Sequence, residues 1–286
     1  MATGITFQGD NMTANNVRFE GQGAAGILVQ VKYVNWSRVD IDMSTGEDEK
    51  VKLNRFQRLI WSNSTISYLK KGVLLEAAQP DSSSDLTLSD LVFQHCSKSN
   101  ANEGGGALNI RLAKDVLVLR NVHFTNNSIN VVGHDISETR GGALFISQDP
   151  PDGTAPELSH VELNNVTFED NVASNGGGIM HYISSGASAN YTACTWTRNK
   201  SPLLGIQTDP GKEGVGGGLQ LQAANTATVS ISNCTFTDND SGYHASAMYY
   251  YGNNKTVAHF ERIQFNGNTA AARPVFWSIA NNSINT

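Results

Sequence analysis

An aromatic residue three places before asparagine recurs at Phe124–Asn127, Phe168–Asn171, Trp196–Asn199, Phe236–Asn239 and Phe265–Asn268. Alternating with it is a glycine run that ends on an apolar residue: Gly105-Gly106-Ala107-Leu108, Gly141-Gly142-Ala143-Leu144, Gly176-Gly177-Gly178-Ile179 and Gly216-Gly217-Gly218-Leu219. Self-similarity of this kind constrains the fold more than any other feature. A unit too small to bury its own apolar face becomes stable only when copies are stacked, so the chain is a solenoid.

Aligning the repeats on the aromatic exposes the unit. Leu117, Leu119 and Val122 precede Phe124; Val161, Leu163 and Val166 precede Phe168; Val229, Ile231 and Cys234 precede Phe236. Two alternating pairs with one extra residue between them describe a strand, a bend and a second strand facing one interior. A third alternation follows the glycines at Leu108 and Ile110, Leu144 and Ile146, Leu219 and Leu221. Three short strands per repeat, with turn residues between them and no helical periodicity, describe an all-β parallel β-helix. About nine coils are expected in a single domain spanning residues 1–286, with Phe19, Trp36 and Trp61 fitting the aromatic slot only loosely. Loops are inserted around Thr45–Lys50, Val131–Thr139, Asp149–Glu157 and Pro202–Val215, which are charged or rich in turn formers.

The recurring residues then have structural work. Asn127, Asn171, Asn199, Asn239 and Asn268 suit a left-handed bend at a corner, and their amides join from coil to coil as a ladder. Phe124, Phe168, Trp196, Phe236 and Phe265 stack above one another inside. The glycine pairs permit positive φ and close backbone approach at another corner.

Composition narrows the function. With 39% hydrophobic and 16% charged residues, apolar side chains recur in every segment and disorder is not expected. A net charge of −6 offers no attraction to nucleic acid or to an anionic membrane. No apolar run approaches the roughly 18 residues of a membrane span. The first residues carry no secretory signal and already show the repeat pattern, so the chain reads as a piece of a longer protein or a processed form. The three cysteines lack metal-ligand spacing. Cys194 and Cys234 occupy the same place in adjacent repeats, about 4.8 Å apart if stacked, which leaves a disulfide open beside the favoured reading of reduced core thiols.

The pairing of Phe-x-x-Asn with Gly-Gly-Ala-(Leu/Ile/Val) resembles the repeats of the chlamydial polymorphic outer membrane proteins. The resemblance covers about residues 86–270 and is strongest at Phe124–Asn127 with Gly141–Leu144, and at Phe168–Asn171 with Gly176–Ile179. It implies a right-handed single-stranded β-helix of the pectin-lyase-like kind, displayed at a cell surface and used in adhesion. Two slots depart from the pattern, at His244–Met248 and Arg273–Trp277, where the glycines are gone. The C-terminal membrane barrel of that family is missing from the sequence.

Asn-x-Ser/Thr occurs at Asn11, Asn35, Asn63, Asn126, Asn165, Asn190, Asn199, Asn233, Asn239, Asn254 and Asn281. These are either glycan acceptors of an extracellular protein or a by-product of Asn at corners and Thr on outer faces. Asn199 and Asn239 hold ladder positions, whereas Asn11, Asn63, Asn254 and Asn281 are free of that constraint and are the candidate glycosylation sites.

Parallel β-helices also house pectate lyases and polygalacturonases, which gather carboxylates on one outer face. The lane two residues after the aromatic reads His95, Asn126, Asp170, Arg198, Asp238, Gly267. Its two acids are separated by Arg198, so a neutralising Asp-Arg-Asp ladder is the simpler account. The outward lane on the glycine strand, with Phe145, Met180 and Tyr249, is a candidate stripe for a glycan or protein partner, or is covered by an inserted loop. The expected function is therefore non-enzymatic, with no metal or cofactor. It is that of an extracellular or cell-surface spacer, coat or adhesive element joined at its ends to protein partners or further repeats. A polysaccharide-active enzyme, or a glycan-binding module on the same fold, is the alternative.

Overall fold

The computed structural model describes residues 5–20, 26–44, 50–77, 83–98, 104–129, 139–148, 159–202, 214–253, 255–272, 275–281 and 284–285. The four inserted loops lie largely outside these residues. Within them the chain is strand and turn with no helix, and every ladder is parallel. Apart from strands in the terminal coils and the two-residue strands, each strand pairs with its counterparts one repeat earlier and one repeat later, so the protein is an all-β parallel solenoid.

One repeat shows how the sequence builds a coil. Leu144–Ser147, His160–Asn164 and Thr167–Glu169 are its three strands. Above them lie Ile179–Ile183, Ser188–Thr192 and Thr195–Thr197, then Leu219–Ala223, Thr228–Ser232 and Thr235–Thr237. A two-residue strand follows the asparagine in some repeats, such as Lys200–Ser201 pairing with Asp240–Ser241. It was not legible in advance because two residues carry no period.

The registers trace the inward lanes through the described residues. One lane runs Phe19, Ile41, Ile66, Phe93, Phe124, Phe168, Trp196, Phe236, Phe265. Its rings stack face to face from Phe93 onward, at centroid distances of 5.0, 5.1, 5.6, 4.4 and 5.4 Å. A neighbouring lane runs Ala14, Trp36, Trp61, Leu88, Leu119, Leu163, Tyr191, Ile231, Phe260. Trp36 and Trp61 thus belong five residues before the aromatic slot, which Ile41 and Ile66 fill in those coils. The early coils are more regular than their aromatics suggest. Only the ring has moved, and both tryptophans remain fully buried in edge-to-face contact.

The bends are left-handed, but not at the residues expected. The ladder asparagines have ordinary φ. Positive φ falls one place earlier, at His95, Asn126, Asp170, Arg198, Asp238 and Gly267, and again three places before the aromatic, at Asn63, Asp90, Asn121, Asn165, Ala193, Asn233 and Arg262. Asn, Asp and Gly reach this region at least cost, which explains their abundance in both lanes. The second of these lanes forms its own outer ladder: Asn165 Nδ2 donates to Asn121 Oδ1, and Asn121 Nδ2 donates to Asp90 Oδ1.

The glycine corner obeys two separate demands. The first glycine of each run, Gly105, Gly141, Gly176 and Gly216, has positive φ. The second is needed for space: a Cβ on Gly177 would lie 2.3 Å from the Gly217 carbonyl oxygen and 2.5 Å from that of Lys200. Gly186, in a turn at φ +71°, has nothing within 4 Å of the same position. Gly186→Ala should therefore cost only its backbone strain, about 1 kcal/mol. Gly177→Ala should cost about 3 kcal/mol or more, because two backbone carbonyls would have to move. Urea midpoints for the two variants decide this, and equal losses would contradict the packed corner.

Candidate functional site

Among the described residues, the asparagine corner is an extended and fully connected polar feature. The side chains of Asn127, Asn171, Asn199 and Asn239 are fully buried, so each amide must find partners inside the protein. Asn171 Nδ2 donates to Asn199 Oδ1 at 2.9 Å and to the Phe124 carbonyl in the preceding coil at 3.0 Å. The same Asn199 Oδ1 also accepts the Asn171 backbone N–H at 3.1 Å. The pattern repeats from Asn127 to Asn171, from Asn199 to Asn239 and from Asn239 to Asn268. It is maintained across sequence steps of 44, 28, 40 and 29 residues. Both amide hydrogens and both oxygen lone pairs are used at every internal rung. Asn199 and Asn239 therefore have neither the exposure nor the free amide a glycan requires.

Of the candidate glycosylation sites, Asn11 and Asn63 are exposed. Asn254 and the side chain of Asn281 lie outside the described residues.

The outward stripe is a real lane but not an open one. Asn109, Phe145, Met180, Gln220 and Tyr249 are stacked in register. Phe145 is 6% exposed and Met180 2%, while Tyr249 is half-buried. Phe145 and Met180 are thus closed to a partner, as in the covered alternative, while Tyr249 is partly open. Gly104 packs so tightly on the Phe145 ring that a Cβ there would lie 2.4 Å from it.

The acidic lane also differs from the reading. Arg198 donates Nε to Asp170 Oδ1 at 2.9 Å and Nη2 to Asp170 Oδ2 at 2.8 Å, and it also pairs with Glu169. It turns to one side instead of bridging to Asp238. Asp170 and Asp238 both occupy the left-handed corner, which accounts for their residue type without chemistry. A recess of about 190 Å³ lies among Arg18, Asp40, Asp42, Thr65 and Ser67. Its carboxylates are already engaged, Asp40 by the Thr65 N–H at 2.8 Å and Asp42 by the Ser44 N–H at 3.1 Å. Among the described residues, no group of three His, Cys, Asp or Glu is arranged to hold a metal ion.

One buried network was missed in the sequence. His181 Nε2 faces Gln148 Oε1 at 2.9 Å, and its Nδ1 faces Tyr191 Oη at 2.5 Å. An amide oxygen only accepts, so Nε2 carries the proton and Nδ1 accepts from the tyrosine. Gln148 Nε2 then donates to Ser159 Oγ, which donates to the Asp115 carbonyl. All donors point one way along the chain, an arrangement that strengthens each bond. The signal was available: His181 alternates with Ile179 and Ile183, and its stacking neighbours are Ile146 and Leu221. A histidine aligned with aliphatic residues of the coils on either side occupies an inward position.

Burial lowers the His181 pKa from 6.5 to about 3. The folded state therefore keeps a neutral ring while the unfolded chain takes up a proton below pH 6.5. Stability contributed by this site is intact above pH 6.5 and is lost as pH falls from there toward 3. His181→Gln should flatten the dependence of unfolding free energy on pH in that window by roughly 1 kcal/mol per unit. Urea unfolding between pH 7 and pH 4 measures it, and an unchanged slope would place the titration elsewhere.

No protein-family model matches the chain, and no curated protein and no solved structure matches it.

What remains as a candidate for interaction is the C-terminal edge of the last full coil. Gln264–Asn266 and Thr269–Ala270 each pair with the coil before, and among the described residues nothing pairs on their other side. Phe265 is 37% exposed there, whereas the preceding members of its lane from Ile41 to Phe236 are fully buried. Asn268 accepts both bonds from Asn239, yet its own backbone N–H has no acceptor among the described residues. The ladder runs out to this face, and the Phe276 ring, stacked on Phe265 at 6.1 Å, covers it only in part.

Proposed function

We propose that this chain is a non-enzymatic, extracellular or cell-surface structural and adhesive element, a rigid spacer or coat component within a larger assembly. In this reading it winds as a right-handed, single-stranded parallel β-helix of the pectin-lyase-like kind. The repeats are of the type found in chlamydial polymorphic outer membrane proteins, on the strength of Phe-x-x-Asn alternating with Gly-Gly-Ala-Leu. The observation that carries the proposal is the open edge at Phe265 and Asn268. An unpaired parallel edge, a ring covered only in part by Phe276 and an unfinished amide ladder together specify what should sit there: one more strand offering an apolar side chain and an amide or carbonyl oxygen in register. Further repeats or a protein partner supply such a strand, and lengthen the rod by about 4.8 Å per coil.

The rest of the molecule suits a scaffold. Its polar groups are spent on one another in the Asn ladder, the His181 network and the Arg198 cluster, and its inward lanes continue unbroken past inserted segments. A surface location also accommodates the exposed sequons at Asn11 and Asn63.

Two measurements test the reading. Sedimentation of the purified chain should show association that weakens at least tenfold on Phe265→Lys, since a charge would replace the apolar contact at the edge. A chain that stays monomeric at high concentration, or a variant that associates equally well, would remove the argument from the open edge. Incubation with acidic polysaccharides should release no fragments. Release that disappears on Asp170→Asn would replace the scaffold with an enzyme.

A further inference from the structure

Three thiols lie in the core, Cys96, Cys194 and Cys234, all free and fully buried. Two of them are neighbours across a rung. Thr195 pairs in register with Thr235, and the Thr235 N–H donates to the Cys194 carbonyl at 3.0 Å. Cys194 and Cys234 therefore sit directly over one another two residues before Trp196 and Phe236, in the lane that Val122 and Val166 occupy elsewhere. Parallel rungs about 4.8 Å apart fall within the Cα separation that a disulfide spans, and stacked side chains in one lane point the same way. Each Sγ faces the carbonyl two residues back in the chain, Cys194 that of Thr192 at 3.4 Å and Cys234 that of Ser232 at 3.2 Å. Cys96 stands in a different lane, where its backbone N–H meets Asn127 Oδ1 and its Sγ faces the Gln94 carbonyl at 3.5 Å.

We infer that Cys194 and Cys234 form an inter-coil cross-linking site, which closes to a disulfide when the chain folds in the presence of a disulfide oxidant. A thiolate of the pair attacks the oxidant, one thiol of the oxidant leaves, and the second protein thiolate displaces the other. The protein gives up two electrons and two protons and gains one S–S bond, and the oxidant ends as two thiols. The exchange belongs to folding or to local opening. In the closed coil the sulfurs are shielded, and burial raises the thiol pKa of Cys194, which keeps it protonated and unreactive.

The location gives the bond a purpose. The two cysteines bracket the Pro202–Val215 insertion and span the same 40-residue step as Asn199 and Asn239. A bond here closes the coil that carries that excursion, and it removes the freedom of a long loop from the unfolded chain. The inference stands on register and burial and does not depend on the adhesive reading.

The test refolds the full chain with reduced and oxidised glutathione, and in parallel with reductant alone. Both samples are then alkylated after denaturation and mapped by mass spectrometry. The glutathione sample should carry one alkylated cysteine, Cys96, and a linked peptide containing Cys194 and Cys234. Its thermal midpoint should rise by several degrees over the reduced form, and Cys96→Ser should keep both the link and the shift. Cys234→Ala should abolish both. Three alkylated cysteines at every glutathione ratio, a stable mixed disulfide with glutathione, or links that involve Cys96 as often as its neighbours would each overturn the assignment. A link without any thermal shift would overturn the stabilising part of it.

Discussion

Parallel strands stacked in register at about 4.8 Å place each side chain directly over its counterpart in the next coil, and the rest of this structure depends on that condition. Once it holds, a residue type that works at one rung works at the next, and any departure must be solved by its two neighbours. The aromatic lane from Phe93 to Phe265 is the simplest outcome, because flat rings at this spacing gain stacking contact at every step. The asparagine lane is the polar counterpart. Each carboxamide has two donors and two acceptor sites, and a stack supplies two coils and a bend, which is the number of partners required.

Satisfying buried amides in this way turns a liability into a specification of register. A slip by one residue would leave several buried amides unpaired, each costing about 1–3 kcal/mol, and would push the aromatic lane outward. The inserted segments show the strength of the constraint. The ladder makes the same three bonds whether the next asparagine is 28 or 44 residues away. The glycine corner acts alongside it, since backbone passes so close to backbone at Gly177 that side chains are excluded.

Substitutions within the lanes show where the repeat is permissive. Ile41 and Ile66 replace the ring while Trp36 and Trp61 fill the interior from the adjacent lane, so volume is kept though the motif is lost. Ala245, at φ +52°, takes the place of the first glycine in the His244–Met248 repeat, accepting strain that glycine avoids. His181 and Tyr191 substitute polar rings for aliphatic residues, and this is tolerated because Gln148, Ser159 and the Asp115 carbonyl complete the network. Three tryptophan indole N–H groups, on Trp36, Trp61 and Trp196, are buried with no partner among the described residues.

How much of this was legible differs from one residue to another. Phe124, Phe168 and Phe236, and the inward pairs before them, could be placed from spacing alone, because alternation and a fixed offset are local properties of strands facing one interior. The glycine runs likewise announced close approach and positive φ. What could not be read was anything that depends on the partner across the coil. Left-handed φ falls on Asn126 and Asp170 instead of Asn127 and Asn171, Arg198 selects Glu169 over Asp238, Phe145 and Met180 are covered, and His181 is inside. These outcomes are set by residues tens of positions away in the chain. The amino-acid order determined which residues repeat and hence that like lies over like. Only the stacked structure decided which polar groups meet, because hydrogen-bond partners and burial are properties of neighbouring coils and not of a single repeat.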